Sequence, residues 1–262
     1  MLTKNNVLGV GITNETAENI LEYILQRLRI APKFYIVTPN PEILVYANKH
    51  PKYKNILNNA EVALPDGAGL FLASIFMAKP FRERIPGVDF LEMLCKSTVR
   101  NPISMGFLGG RREIARKAAD CLKKKYPHLN IVFIAEEWSQ DGFVKQESAN
   151  KYKPASVDKL KQKTVHNPKL MLDNPEIDIL FVAFGHPKQE EWIYENLNKI
   201  PVKAAMGVGG AFDYLSGEVK RAPLIVRAIG FEWLYRLIKE PWRLKRQLAL
   251  IEFVKLVFKE RF

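Results

Sequence analysis

Short loops that combine glycine with hydroxyl, amide or carboxylate side chains recur along this sequence of 262 residues. Thr38 and Asn40 belong to the segment Thr38-Pro-Asn-Pro-Glu42, and Asp66 belongs to Pro65-Asp-Gly-Ala-Gly69. A hydroxyl, an amide and the free N–H groups of a helix start can together bind an anion. A carboxylate in a turn can act as a base, or it can simply bond its own backbone. Helix capping is the structural alternative for the first segment.

Three further segments of the same kind follow along the chain. Phe107-Leu-Gly-Gly110 suits the close approach of a phosphate but lacks the third glycine of a dinucleotide-binding fingerprint. Gly185-His-Pro-Lys-Gln-Glu190 groups a histidine, a lysine and Gln189, whereas Gly207-Val-Gly-Gly-Ala-Phe-Asp213 joins a flexible turn to a carboxylate. Several such loops at one edge of a sheet favour a nucleotide site more than any single loop does.

Several familiar motifs are missing from the sequence. It contains no G-x-x-x-x-G-K-[ST], G-x-S-x-G or H-E-x-x-H motif, and no D-x-D pair that would hold a nucleotide-bound divalent ion. These absences disfavour metal-dependent phosphoryl transfer. The two cysteines, Cys95 and Cys121, form neither a disulfide framework nor a zinc motif, which is typical of a cytosolic protein.

Apolar, β-rich runs alternate with helical patterns and so predict the elements that position these loops. The predicted strands are Val7–Val10, Phe34–Val37, Glu61–Leu64, Ile103–Leu108, Asn130–Ala135, Ile179–Phe184 and Lys203–Val208. The predicted helices of this part are Glu15–Arg29, Pro41–His50, Leu70–Met77 and Arg111–Tyr126. Alternation of this kind predicts an α/β fold with a mostly parallel sheet and helices on both faces. In such sheets the loops at the carboxyl ends of the strands bind the ligand.

The positive charge is concentrated at the end of the chain. The sequence has 40 Lys and Arg against 28 Asp and Glu, a formal net charge of +12, and residues 220–262 carry +7 of it. The same region has apolar residues at helical spacing and predicts two amphipathic helices broken at Pro241. Basic and apolar faces together suit an anionic membrane surface, although core-packing helices or a nucleic-acid-binding tail would share this composition.

The domain organisation follows from these patterns. We predict an α/β core over residues 1–219, with a polar insertion at about 143–174, and an amphipathic helical appendage over 220–262. The N-terminus lacks the features of a signal peptide, and no segment has the run of about 18 uncharged apolar residues that a spanning helix needs. We therefore expect a cytoplasmic protein that lies on a membrane rather than crossing it. An unpartnered apolar tail also favours self-association into a homo-oligomer.

Seven segments in order resemble the WecG/TagA/CpsF glycosyltransferase family. They are Thr38–Glu42, Pro65–Gly69, Arg84-Ile-Pro-Gly-Val-Asp89, Phe107–Gly110, Gly185–Glu190, Gly207–Asp213 and Glu232-Trp-Leu-Tyr-Arg236. The resemblance implies an inverting, metal-independent hexosyltransferase with a Rossmann-like core and no cofactor. It also implies transfer of N-acetylmannosamine or its uronic acid from a UDP-sugar to a polyprenyl-pyrophosphate-linked acceptor at the inner face of the cell membrane. Such enzymes serve teichoic acid, capsule or exopolysaccharide synthesis.

The resemblance also implies roles for individual residues. Asp66 would be the general base, with Thr38 beside it at the donor sugar. The donor-binding residues would be Asn40, Arg84, Gly109, Gly110, Gln189 and Asp213. Basic residues of the appendage, Arg236, Arg243 and Arg246, would complete the site over a pyrophosphate. Planar guanidinium groups suit phosphate oxygens and would stabilise the charge that grows on the departing UDP.

Two other interpretations of the sequence compete with the glycosyltransferase. A non-catalytic module could use the basic tail to bind a membrane or nucleic acid, although the resemblance implies no nucleic-acid partner. A nicotinamide-dependent oxidoreductase would need a complete G-x-G-x-x-G motif followed by a matched acid, which the sequence lacks. Replacing Asp66 by asparagine separates the transferase from the binding module, because only sugar transfer needs the base.

Overall fold

A computed structural model describes residues 2–30, 32–111, 113–136, 176–241 and 244–261. The strands are β1 (Lys4–Val7), β2 (Val10–Thr13), β3 (Phe34–Val37), β4 (Val62–Ala63), β5 (Ser104–Gly109), β6 (Asn130–Ala135), β7 (Ile177–Ala183) and β8 (Val202–Gly207). The helices are α1 (Ala17–Arg27), α2 (Pro41–Lys49), α3 (Pro51–Asn59), α4 (Ala68–Phe76), α5 (Gly87–Ser97), α6 (Ile114–Lys125), α7 (Lys188–Asn196), α8 (Ala211–Leu215), α9 (Leu224–Ala228), α10 (Glu232–Lys239) and α11 (Leu244–Arg261). The predicted insertion at 143–174 lies outside the described residues.

Six strands form one parallel sheet in the order β4-β3-β8-β7-β5-β6, which confirms the predicted fold class. All carboxyl ends of a parallel sheet meet at one edge, so the loops after β3, β4, β5, β7 and β8 converge there. Each of these loops carries one of the polar segments found in the sequence. The topology thus brings together residues that are far apart along the chain.

Both faces of the sheet are apolar because helices cover both. Along β3, Phe34 and Ile36 join one cluster of buried side chains, while Tyr35 and Val37 join a second. Successive side chains of a strand point to opposite faces, so the two clusters lie on the two sides of the sheet. This explains why the strands read as unbroken apolar runs in the sequence.

The predicted strand Val7–Val10 is wrong in detail. The chain turns at Leu8 and Gly9, which have φ angles of 53° and 78°, and Val7 pairs with Val10 across an antiparallel hairpin of β1 and β2. Left-handed backbone of this kind cannot continue a strand. The apolar run therefore contains the end of one strand and the start of the next.

The predicted pair of C-terminal helices is also incomplete, because the described part of this region holds three helices. The additional break falls at Gly230, between α9 and α10, where φ is +82°. A Cβ at this glycine would lie only 2.6 Å from the Cβ of Ala68 in α4. The glycine thus allows the α9–α10 turn to approach the loop that carries Asp66.

The last helix, α11, packs against α2 and α4. Its Phe253 and Val257 are 1% and 3% exposed and belong to one of the two core clusters. An ion pair of 2.7 Å between Lys49 and Glu252 adds to this contact. The opposite side of the helix remains open, with Leu248 62% exposed. One face of the helix is therefore a core-packing face, and the other is available to a partner or a surface.

Phe253 gives a direct test of this packing. We expect Phe253→Ala to lower the free energy of unfolding by about 3–4 kcal/mol, because it removes a fully buried aromatic ring and leaves a cavity. The matched change Leu248→Ala, on the exposed face of the same helix, should cost less than about 0.5 kcal/mol. Urea unfolding followed by circular dichroism measures both. Equal, small effects would contradict the docking of α11.

Candidate active site

A cleft of about 1570 Å³ opens at the carboxyl edge of the sheet. Its floor is made by the loops after the parallel strands, and its walls come from α2, α4, α10 and α11. The sequence-predicted residues that line it are Thr38, Asn40, Asp66, Arg84, Gly110, Gln189, Asp213 and Arg236. The structure thus gathers in one cleft most of the residues that the sequence singled out.

Asp66 lies in the loop between β4 and α4, half-buried in the cleft. Its backbone N–H donates to the Pro39 carbonyl at 3.1 Å, which ties this loop to the one after β3. The pKa of the Asp66 carboxyl is raised to about 6, chiefly by burial; nearby Glu232 and Asp89 also raise it, whereas the Gly87 N–H and Arg84 lower it. The group is ionised at neutral pH and more basic than an ordinary aspartate, as a general base requires.

Thr38 packs against Gly87, the glycine whose N–H lowers the pKa of Asp66. Its hydroxyl donates to the Gly207 carbonyl at 3.3 Å, and its methyl group leaves no space for a side chain at Gly87, where a Cβ would lie 2.9 Å away. Gly87 also donates its N–H to the Asp66 carboxylate. The start of α5 therefore contacts both Thr38 and Asp66, and it places the hydroxyl and the carboxylate on one side of the cleft.

Asn40 caps helix α2. Its Oδ1 accepts a hydrogen bond of 3.0 Å from the Ile43 N–H, as in the capping alternative. A contact between Asn40 and a ligand would fall to its amide nitrogen. Donor binding by this residue stays a prediction, and it does not conflict with the cap because the two roles use different atoms.

Gln189 is 2% exposed and already uses both ends of its amide. Its Oε1 accepts from the Gly209 N–H at 2.9 Å, and its Nε2 donates to Glu190 at 2.7 Å. Glu190 is fully buried and also accepts from the Tyr53 hydroxyl at 3.0 Å. Burial raises the pKa of Glu190. Gln189 thus shapes the cleft by holding the Gly209 loop, and its proposed contact with the donor would be additional.

Arg236, on α10, lies over the loop that follows β8. Its guanidinium is 3.7 Å from Asp213 and 3.0 Å from Glu240, and it is centred 4.8 Å from the ring of Tyr214. A Cβ at Gly210 would come within 3.3 Å of the same guanidinium. The structure therefore brings Arg236 and Asp213 together in the cleft. Their roles in substrate binding stay a prediction.

The remaining predicted residues are placed differently. Arg84 donates to the Arg227 carbonyl at 2.7 Å and links the segment between α4 and α5 to α9. Gly110 lines the cleft, whereas Gly109 has a φ of +104° and lies so close to Ala183 that a Cβ would approach its carbonyl carbon to 2.9 Å. Gly109 thus serves the close packing of β5 on β7.

The two other predicted arginines cannot be placed in the cleft. Arg243 lies outside the described residues, and the same holds for the side chain of Arg246, whose backbone belongs to α11. Their predicted role over a pyrophosphate therefore stays a prediction.

Among the cleft residues that sequence analysis left without a role are Tyr214, Glu232 and His186. Tyr214 and Glu232 adjoin or belong to the quoted segments, so position alone could have suggested them. His186 is the histidine of the quoted segment Gly185–Glu190, to which no role was assigned. Its Nε2 is 3.4 Å from Glu42, and its Nδ1 is buried without a hydrogen-bond partner among the residues that the structure describes.

The described part of the chain lacks two features that would bear on metal binding and membrane insertion. Within residues 2–30, 32–111, 113–136, 176–241 and 244–261, no three His, Cys, Asp or Glu side chains are grouped as a metal site. Metal independence stays a prediction. No helix in the same part of the chain is both long and apolar enough to span a bilayer.

A parallel α/β sheet whose carboxyl-edge cleft holds both a basic carboxylate and an arginine is typical of one class, the α/β group-transfer enzymes. Residues 5–262 match the model of the glycosyl transferase WecG/TagA/CpsF family, and the chain belongs to that family of hexosyltransferases. Two N-acetylglucosaminyldiphosphoundecaprenol N-acetyl-beta-D-mannosaminyltransferases are similar to it. The one from Bacillus spizizenii is 32% identical over 86% of this chain and 79% of its own length. The one from Staphylococcus aureus MRSA252 is 30% identical over 98% and 93%.

Proposed function

We propose that the protein transfers N-acetylmannosamine from a UDP-linked donor to N-acetylglucosaminyl-diphosphoundecaprenol, with inversion at the anomeric carbon and without a metal ion. The activity for which both relatives are named supports this acceptor and this sugar. The observation that carries the proposal is that a basic carboxylate, Asp66, and the guanidinium of Arg236 line the same cleft. One group can accept a proton, and the other can bind the leaving diphosphate.

The reaction uses these groups on opposite sides of the donor sugar. The acceptor hydroxyl attacks the anomeric carbon while Asp66 takes its proton, and the bond from that carbon to the UDP oxygen breaks on the other face. Negative charge then grows on the diphosphate. Arg236, which lies beside the Gly209–Gly210 turn, offers positive charge for it. Attack opposite the leaving group inverts the anomeric configuration.

The pKa of Asp66 predicts the pH dependence of the reaction. With a pKa of about 6, the carboxyl is protonated below this pH and cannot accept the acceptor's proton. We therefore expect kcat/KM to be constant above about pH 7 and to fall about tenfold per pH unit below 6. A steady-state pH profile at saturating acceptor measures this limb. A limb near pH 4, the ordinary value for an aspartate, would contradict the role given to burial.

The exposed apolar residues near the cleft support a peripheral position on the cytoplasmic membrane. On α9, Leu224 and Ile225 are 74% and 76% exposed, and Ile229 just beyond is 62% exposed. Basic residues such as Lys220 flank them. Burial of these side chains in the lipid interface would bring the cleft to the lipid-linked acceptor. Co-sedimentation with anionic vesicles tests this, and loss of binding in Ile225→Asp is expected.

A donor screen tests the proposed reaction. UDP release is measured with UDP-N-acetylmannosamine, its uronic acid and UDP-glucose, each with a lipid-linked N-acetylglucosamine acceptor and with or without EDTA. We expect fast, acceptor-dependent release from UDP-N-acetylmannosamine alone, unaffected by EDTA. Faster release from the uronic acid would mean that the proposed donor sugar is wrong. Inhibition by EDTA would overturn the proposal that the reaction needs no metal ion. Tight binding of NAD without binding of UDP would favour the oxidoreductase alternative instead.

A further inference from the structure

Arg221 lies just after the predicted core, and its side chain contacts the two helices α5 and α10. We propose that Arg221 is a positioning residue: it clamps α10 onto α5 through Glu232 and Asp89, and thereby sets the place of Arg236 and the charge around Asp66. The part of this proposal that concerns catalysis rests on the proposed function, whereas the clamp itself does not.

The contacts of Arg221 use its whole guanidinium fork. Both terminal nitrogens bind the Asp89 carboxylate, one of them at 3.1 Å, and Nε donates to Glu232 at 3.2 Å. The side chain is only 17% exposed. Asp89 lies in the first turn of α5, and Glu232 lies in the first turn of α10. A bidentate pair with a third bond to another element fixes the relative position of the two helices.

The clamp reaches Arg236 by two routes. Glu232 and Arg236 are four residues apart on α10 and so lie on the same face of the helix, one turn from each other. In addition, the Tyr214 ring of α8 is contacted by both arginines, with guanidinium carbons 5.7 Å (Arg221) and 4.8 Å (Arg236) from its centroid. Fixing Arg221 therefore restricts both the helix and the aromatic ring that orient Arg236.

The same contacts set the charges that act on Asp66. Asp89 and Glu232 both raise the pKa of Asp66, and Arg84 and the α5 N-terminus oppose them. Arg221 pairs with both of these carboxylates, and Arg227 lies 3.8 Å from Asp89 as a weaker partner. Removing Arg221 leaves two poorly compensated negative charges near the base, so the pKa of Asp66 should rise.

The test compares Arg221→Met with Arg27→Met. Arg27 is a matched control because it also makes a bidentate pair, with Glu61, and does not line the cleft. We expect Arg221→Met to accelerate amide hydrogen exchange across residues 232–239 about tenfold. It should also move the acid limb of kcat/KM upwards by about half a pH unit or more. The control should change neither measurement.

Two further variants keep the proposal falsifiable. Asp89→Asn keeps every arginine but weakens the clamp, so it should also loosen α10 while moving the acid limb downwards. Arg221→Lys keeps the positive charge but loses the bidentate guanidinium contacts. Compared with Arg221→Met, it should therefore bring the acid limb of kcat/KM back towards the wild-type position more fully than it slows amide exchange across residues 232–239. Unchanged exchange across 232–239 in both Arg221→Met and Asp89→Asn would overturn the clamp. Because exchange needs no substrate, this result is independent of whether the proposed transfer occurs.

Discussion

Asp66→Asn is expected to reduce kcat for sugar transfer by about a thousandfold without unfolding the protein. An amide has the shape of the carboxyl but cannot accept the acceptor's proton, and a positioned general base contributes about 100- to 10,000-fold. The carboxyl is half-buried next to Glu232 and Asp89, which disfavour its ionisation. The rate of UDP release under saturating donor and acceptor measures the effect.

Asp66→Asn should also change how the free energy of unfolding depends on pH, and the direction of this change follows from the pKa of Asp66. The folded protein holds the Asp66 proton up to a pKa of about 6, against 3.8 for an unperturbed carboxyl. Between these values the folded state binds more protons, so this group lowers the free energy of unfolding as the pH rises from about 4 to 6. Asp66→Asn lacks this loss, and its Tm at pH 7.5 should be no lower than that of the wild type.

Asp120→Asn is the control for the activity measurement. Asp120 lies on α6, away from the cleft lining, so this variant should keep full activity.

Arg236→Ala is the second change with a large expected effect. We expect kcat to fall about 100- to 1,000-fold, because the guanidinium is the cation that lies over the Gly209–Gly210 turn and would meet the leaving diphosphate. Arg236→Lys should recover only part of the rate, since an ammonium cannot reproduce the planar contact with Tyr214. Steady-state kinetics with the same substrates measures both variants.

Lys239 provides the control for Arg236. It lies on the same helix and carries the same charge, but it is exposed and does not line the cleft. Lys239→Ala should therefore leave kcat within about twofold of the wild type. Equal losses in Arg236→Ala and Lys239→Ala would mean that α10 contributes only its overall charge.

The strands of the sheet could be predicted well because most of their side chains are buried or partly buried on both faces. The bounds of β3 and β6 agree with the sequence prediction, Phe34–Val37 and Asn130–Ala135. The hairpin at Val7–Val10 could not be found, because its turn uses left-handed backbone at a leucine, which has no sequence signature. Helix α5 was missed because it begins at Pro86-Gly87 without a capping side chain. Gly87 instead contacts Asp66 and Thr38.

The cleft could be predicted because glycine and polar residues follow the strands directly. Its supporting contacts could not, since Arg221 and Asp89 are 132 residues apart and meet only in the folded chain. The apolar pattern of the C-terminal region was ambiguous in the same way. Phe253 packs into the core while Leu248 faces outwards, and a sequence pattern cannot distinguish a face that meets protein from one that meets lipid.

The most direct test of this account is the mass of the lipid-linked product. The wild-type protein is incubated on anionic vesicles with UDP-N-acetylmannosamine and lipid-linked N-acetylglucosamine, and the extracted lipid is analysed by mass spectrometry. The account predicts an acceptor that is heavier by one N-acetylhexosamine, and no such product from Asp66→Asn. An unmodified acceptor with the wild-type protein, or the same product from both proteins, would contradict it.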